Sequence, residues 1–117
     1  MRNNYLPPQA AFLKLNLLTI IEKERLYGYQ IKRELQSLYQ NHRYTIKHEH
    51  IYRALHDLVN EGYLIQEKEK IAEFQEVVYY RFSDNGLERA QVYREQMKNE
   101  LDRSIELLQE AKKLNYS

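Results

Sequence analysis

The chain has 117 residues, a length that suits one domain, and it contains no cysteine, which excludes disulfides, zinc ribbons and thiol nucleophiles. Eighteen Lys and Arg nearly balance seventeen Asp and Glu, and the formal charge of +1 neither requires nor excludes a nucleic-acid partner. The longest apolar stretch, residues 17–21, is too short to span a membrane, and no signal-peptide pattern is present, so we expect a cytoplasmic protein.

Three glycines and two prolines in this length predict mostly helix with short joints, in a single domain over residues 1–117. In the first half of the chain, periodicity predicts three helices at residues 9–24, 29–39 and 48–60. A short extended stretch follows the first helix, a polar loop follows the second, and Gly62 ends the third. The residues predicted to face inward are Ala11, Phe12, Leu15, Leu17, Leu18, Ile21, Ile31, Leu35, Leu38, Ile51, Leu55, Leu58 and Val59.

In the second half, two alternating segments at residues 63–70 and 75–82 predict a β-hairpin. A period of two places Lys68 and Lys70 on one face of the first strand, with the neighbouring glutamates on the other. A long helix is predicted to follow over residues 86–114.

The last helix, capped by Ser83 or Asp84, would be about 40 Å long. It carries a nearly straight apolar seam, rather than a strict heptad coiled coil, made of Tyr93, Met97, Leu101, Ile105 and Leu108. No other predicted element is left to cover this seam, so we expect a homodimer formed through the last helix. The order of elements is that of a mainly α (α+β) winged helix-turn-helix with a C-terminal dimerisation helix.

Charge is distributed unevenly along the chain. Residues 25–53 hold six bases and two acids, whereas residues 54–110 hold seven bases and thirteen acids. The basic stretch coincides with the predicted helix-turn-helix, where phosphate contact would require positive charge. The alternative interpretation is a solvated basic face with no partner.

The polar face of the third helix is expected to enter the major groove of double-stranded DNA. Arg53 is the best candidate for reading a guanine, and Glu49 could either accept from a cytosine amino group or orient Arg53 one turn later. Arg43 and Lys47 suit contacts to the DNA backbone. The full set of candidate DNA-binding residues is Arg43, Lys47, His48, Glu49, His50, Tyr52, Arg53, His56, Lys68 and Lys70.

Other functional classes find little support. In His48-Glu49-His50 the two imidazoles stand two residues apart and point in different directions on a helix, so we expect no metal and no cofactor. No Gly-rich phosphate loop, nucleophile elbow or isolated carboxylate pair is present, so an enzyme is not expected. The eleven tyrosines could stack on single-stranded bases, but most occur in strands or on helix flanks, where packing explains them.

The sequence resembles the Gram-positive replication terminator family over about residues 11–112. The matching pieces, in chain order, are residues 11–15, 24–28, 52–53 with Leu55, His56 and Leu58, 75–78 with Tyr80 and Phe82, and 100–103. The resemblance implies a homodimer that binds inverted-repeat sites and blocks the replicative helicase from one direction. It leaves open whether two dimers share one site, and it implies a protein associated with the nucleoid.

The same resemblance assigns roles to segments of this chain. It implies a recognition helix at residues 48–60, a wing at 66–74 and a helicase-facing surface at 24–27, with Glu24 and Tyr27 as candidate contacts. Two departures put phosphate binding in question. Residues 6–10 are not basic, where the family carries basic residues that touch DNA, and the wing is about two residues shorter, with acids between its two lysines.

A broader resemblance is to the PadR-like winged-helix repressors, carried by residues 28–31, 51–52 with Leu55 and Leu58, 61–65 and 80–86. It implies transcriptional regulation as the alternative function. That group usually has proline after the Ile-Tyr pair, where this chain has Arg53, so Arg53 favours the terminator.

Overall fold

The computed structural model describes residues 9–117, which form four helices and one antiparallel hairpin. The elements are α1 (Gln9–Lys23), α2 (Gly28–Gln40), α3 (His48–Asn60), β1 (Leu64–Ala72), β2 (Gln75–Phe82) and α4 (Gly86–Tyr116). This is the predicted winged helix-turn-helix followed by a long helix, and the predicted bounds are correct to within two residues. The non-basic segment at 6–10 lies largely outside the described residues.

The core lies between the first three helices and the base of the hairpin. Its fully buried side chains are Leu17, Leu18, Ile31, Leu35, Ile51, Leu55, Leu58 and Leu64. Burying side chains of this size stabilises the fold by roughly 1.5–3 kcal/mol each. These residues fix the orientation of α3 relative to the hairpin.

Two parts of the predicted core are wrong. On α1, Leu13 is buried with Leu17, while Ala11 and Leu15 are only partly buried. The predicted Leu17, Leu18 and Ile21 are buried, but because α1 packs against α2, α3 and α4 at once, apolar residues occur around much of its circumference, and periodicity alone includes Ala11 and Leu15 and leaves out Leu13. On α2, Leu38 is 43% exposed, and a loop residue, Ile46, is buried in the core.

The hairpin pairs Leu64 with Phe82, with an irregularity between Lys70 and Ala72. The predicted extended stretch before α2 is present as a single antiparallel bridge between Tyr27 and Tyr79. The linker between α1 and α2, residues 24–27, is thereby attached to β2, on the edge opposite to β1.

The start of α4 is held against the end of α3. The Ser83 hydroxyl donates to the Gly62 carbonyl at 2.7 Å, and Arg89 donates to the Glu61 carbonyl at 2.8 Å. Gly62 has φ +85°, a left-handed conformation that suits the predicted helix stop. The predicted cap is wrong, since the residue at the N-cap is Asn85, without a side-chain capping bond.

The start of the α4 seam lies against α1 of the same chain, contrary to the expectation that no other element covers it. The Tyr93 hydroxyl donates to the Ala11 carbonyl at 2.7 Å, Arg94 pairs with Glu22, and Met97 is only 6% exposed. The contact is made by a side of α1 for which no neighbouring element was predicted from the sequence. No helix within residues 9–117 is long and apolar enough to cross a membrane.

Candidate nucleic-acid interface

The polar face of α3 is directed away from the core. Apolar residues recur at the spacing of one helical face, and this face is buried against α1 and the hairpin base. The opposite side exposes the residues predicted to contact DNA, which are His48, Glu49, His50, Tyr52, Arg53 and His56. The structure thus brings these six side chains onto one accessible helical surface.

Arg53 lies in the middle of this surface. Within residues 9–117 its guanidinium forms no ion pair, although Glu49 is one turn away. The possibility that Glu49 serves only to orient Arg53 through a salt bridge therefore receives no support. An unpaired guanidinium retains the planar donor fork that matches guanine O6 and N7.

Tyr52 occupies the flank of the same surface. Its ring meets the His48 ring edge-on, with 6.4 Å between the ring centroids. The ring also lies near Gly28, since a Cβ built there would be 3.8 Å from it, and the tyrosine is 37% exposed.

Arg43 and Lys47 lie in the loop before α3. Arg43 has φ +65°, and its backbone N–H donates to the Gln40 carbonyl at 2.9 Å, which closes the turn after α2. Lys47 is the last residue before α3. Both side chains are exposed, and neither forms an ion pair in the described part of the chain. Their charges are therefore not satisfied within the described part of the chain.

The acids of the wing are largely neutralised by partners in the same protein. Glu67 accepts from Arg81 at 2.6 Å, and Glu69 pairs with Arg25 at 3.3 Å. Because the register alternates, these glutamates lie on the face of the hairpin opposite to Lys68 and Lys70. Glu76 of β2, by contrast, lies on the lysine face opposite Lys70 and pairs with Lys68 at 3.9 Å, so Lys70 is the wing lysine without an ion pair among residues 9–117.

The tip of the wing carries an apolar side chain that the sequence analysis did not single out. Phe74 is 95% exposed in the two-residue turn between β1 and β2. The signal in the sequence was an aromatic residue placed between the two predicted strands.

The two candidate helicase contacts in the linker have different surroundings. Glu24 is exposed and has no ion pair among residues 9–117. The Tyr27 ring packs against Tyr79, with 4.5 Å between centroids, and against Tyr29 at 5.8 Å. Its backbone N–H donates to the Gln30 side chain at 2.8 Å. Tyr27 is therefore a packed residue with a partly accessible ring.

Tyr79 is the centre of these contacts. The Arg25 guanidinium lies 4.0 Å from the centre of its ring. The pKa of Tyr79 is raised above that of an ordinary tyrosine by its hydrogen bond to the Tyr27 side chain, then by desolvation, and also by a hydrogen bond to Glu69. The contact between Arg25 and Tyr79 is not predicted from the sequence, because it depends on the pairing of distant segments.

The three histidines of α3 do not converge. In the part of the chain that the structure describes, no group of three His, Asp or Glu side chains is arranged to hold a metal ion.

Comparison with known proteins identifies close sequence relatives. The family model described as replication terminator protein matches residues 4–116. The replication termination protein of Bacillus subtilis (strain 168) is 40% identical over 114 residues, which cover 96% of this chain and 92% of that protein. A replication termination protein of Bacillus spizizenii matches with the same identity and coverage.

Solved structures with the same fold are less similar in sequence. A PadR-like transcriptional regulator from Bacillus cereus has a TM-score of 0.63 and 23% identity, covering 83% of this chain and 91% of that one. Bacillus subtilis PadR, solved in complex with operator DNA, has a TM-score of 0.58 and 24% identity, covering 70% and 47% of the respective chains. These likenesses establish a winged-helix fold.

Proposed function

Because this chain belongs to the replication terminator protein family, we propose that it binds double-stranded DNA at a specific site and stops a replication fork there. The observation that carries the proposal is the family match across nearly the whole chain. The exposed polar face of α3 is consistent with it. The role requires no cofactor and no catalytic step, and a protein of this kind would be associated with the nucleoid.

In the proposed complex, α3 lies in the major groove and Arg53 reads a guanine. Arg43 and Lys47 contact phosphates beside the groove, while Lys68 and Lys70 contact them from the wing. The contacts to phosphate set the register of the protein on DNA, and the α3 side chains supply the sequence preference.

We propose that two copies associate through the exposed half of α4. Ile105 is 50% exposed and Leu108 is 59% exposed, Leu101 is half-buried, and Leu107 lies beside them. Tyr93, which is bonded to α1, and the buried Met97 were predicted in the same interface and would contribute at its margin. A dimer of this kind places the recognition helices about 34 Å apart, so half-sites would be centred about 10 bp apart.

The helicase is the second proposed partner. Glu24 and Tyr27 lie in the linker before α2, where Glu24 is exposed and Tyr27 is partly exposed, and we expect both to remain accessible on a DNA-bound protein. Strand packing accounts for Tyr27, but it does not account for an exposed carboxylate at position 24. Glu24 is therefore the residue that separates the two interpretations.

The test begins with the selection of a high-affinity duplex from random sequences, which should contain an inverted repeat. A strand-displacement assay then measures whether the bound protein stops a replicative helicase. Glu24→Lys should leave duplex affinity and thermal stability nearly unchanged, since an exposed substitution costs less than about 0.5 kcal/mol, and it should abolish the block. Glu95→Lys, an exposed charge reversal on α4, is the matched control and should block like the wild type.

The alternative is transcriptional regulation, as in the PadR-like proteins that share the fold. Genomic footprinting separates the two functions. Occupied inverted repeats in the region where replication ends favour fork arrest, whereas sites that overlap promoters favour regulation. If the wild type occupies its own best site and the helicase passes from both directions, fork arrest is the wrong function.

A further inference from the structure

Four residues connect the linker to the hairpin, and we call them the linker clamp: Arg25, Tyr27, Glu69 and Tyr79. Arg25 pairs with Glu69 at 3.3 Å and lies 4.0 Å from the centre of the Tyr79 ring. Tyr27 pairs with Tyr79 through a backbone bridge and a ring contact of 4.5 Å. One side chain of the linker thus contacts both strands of the hairpin, and a second contacts β2.

The linker has few other restraints. It spans only residues 24–27, and beyond the clamp it is held by the ends of α1 and α2, by the partly buried Leu26 and by the bond from Tyr27 to Gln30. An exposed ion pair alone orders a segment weakly. Here the same guanidinium also stacks on an aromatic ring, and this combination fixes its position better than either contact alone.

Strand β1 connects the clamp with the proposed DNA contact. Glu69 lies between Lys68 and Lys70, and its side chain is on the opposite face of the strand. The strand that would meet phosphates on one face therefore holds Arg25 on the other. If DNA orders β1, the pair of Glu69 with Arg25 would also restrict the motion of the linker.

We propose that Arg25 and Tyr79 are positioning residues that hold Glu24 and Tyr27 in the conformation that meets the helicase, and that wing contact with DNA strengthens this hold. The inference rests on the proposed function. The inference can nevertheless be tested separately from the proposed function, because the effect of DNA on the linker can be measured without a helicase.

The first measurement is hydrogen exchange of the linker amides in the full-length protein, free and bound to its selected duplex. In the wild type, DNA should slow exchange across residues 24–30 by about fivefold, the effect of a contact of cation–π strength. In Arg25→Ala this slowing should be lost, while duplex affinity stays within about twofold, because Arg25 is committed to Glu69 and Tyr79 rather than to DNA. Tyr79→Phe keeps the ring beneath Arg25 and should retain part of the slowing.

The control is Arg81→Ala, which removes another arginine–glutamate pair from the same face of the hairpin but does not touch the linker. In this variant the linker amides should exchange at the wild-type rates, and the bound protein should stop the helicase as the wild type does. In the strand-displacement assay, Arg25→Ala should let the helicase pass at least about five times more often. Arg25→Glu combined with Glu69→Arg restores the ion pair and should recover part of the block.

The outcomes separate the two proposals. A wild type that fails to stop the helicase overturns the proposed function, and the exchange measurement then still decides whether the clamp responds to DNA. If the linker amides of the wild type exchange at the same rate with and without DNA, the clamp does not position the linker. The same conclusion follows if Arg25→Ala matches the wild type both in amide exchange and in stopping the helicase.

Discussion

Gly86→Ala should destabilise the protein strongly, because the first turn of α4 lies against the backbone at the end of α3. A Cβ built on Gly86 lies 2.1 Å from the Tyr63 carbonyl oxygen and 2.9 Å from the Ser83 hydroxyl oxygen. Carbon and oxygen rarely approach within about 3.3 Å. The backbone would therefore have to move by about 1 Å to accept one methyl group.

That movement also disturbs the hydrogen bonds of the junction. Ser83 N–H donates to the Tyr63 carbonyl at 3.0 Å, and the Ser83 hydroxyl donates to the Gly62 carbonyl at 2.7 Å. Overpacking costs about 1–3 kcal/mol, and each weakened bond adds up to about 1 kcal/mol. The higher helix propensity of alanine offsets at most about 1 kcal/mol. We expect a net loss of about 2–4 kcal/mol, which lowers Tm by roughly 8–16 °C.

Thermal unfolding followed by circular dichroism, at one fixed protein concentration, measures this loss. Gly28→Ala is the matched control, since Gly28 is also the first residue of a helix, and its added Cβ would lie 3.4 Å from the nearest atom of Tyr80. It should melt within about 4 °C of the wild type. If both variants lose the same stability, or if Gly86→Ala melts like the wild type, the close approach to Tyr63 is not the cause.

Arg53→Ala should weaken binding to the selected duplex by about 1–3 kcal/mol and relax the preference at one base pair, as measured by competition with substituted duplexes. Lys70→Ala should weaken binding to all duplexes alike, with a salt dependence shallower by about 0.9 in log–log slope. Leu108→Asp should raise the dimer dissociation constant at least about 100-fold in sedimentation, whereas Gln109→Asp, outside the seam, should not. Burial raises the pKa of Tyr93 to about 12, so the folded state disfavours the phenolate, and stability should fall as pH rises from about 10 to 12. The loss should be smaller in Tyr93→Phe, and equal pH profiles of Tm would contradict this origin.

The elements could be predicted from the sequence where one periodicity dominates. On α3 the apolar residues occupy a single face, and the predicted bounds are those observed. On α1 three neighbouring helices share the apolar residues, so no single stripe could be chosen from the spacing. Ile46 could not be assigned to the core, since a lone apolar residue in a polar loop carries no periodicity.

The candidate site was predictable to the same extent. The exposed face of α3 follows from its apolar face, and the six predicted side chains are all accessible. The pairing of Arg25 with Glu69 could not be predicted, because it joins residues 44 positions apart and depends on the register of the hairpin. The ion pairs that neutralise Glu67 and Glu69 could not be predicted either, because they also depend on which segments pair in space.

The position of α1 has a consequence for the architecture of the DNA site. Lys14 of α1 pairs with Glu61 at the end of α3, and the other side of α1 holds Tyr93 and Arg94 of α4. In a dimer joined through the far end of α4, α1 therefore sets how far each reading helix stands from the symmetry axis. Half-site spacing and base preference would then be encoded in different helices. Changes on the exposed face of α3 could alter the sequence that is read without altering the spacing, and repacking α1 against α4 could do the reverse.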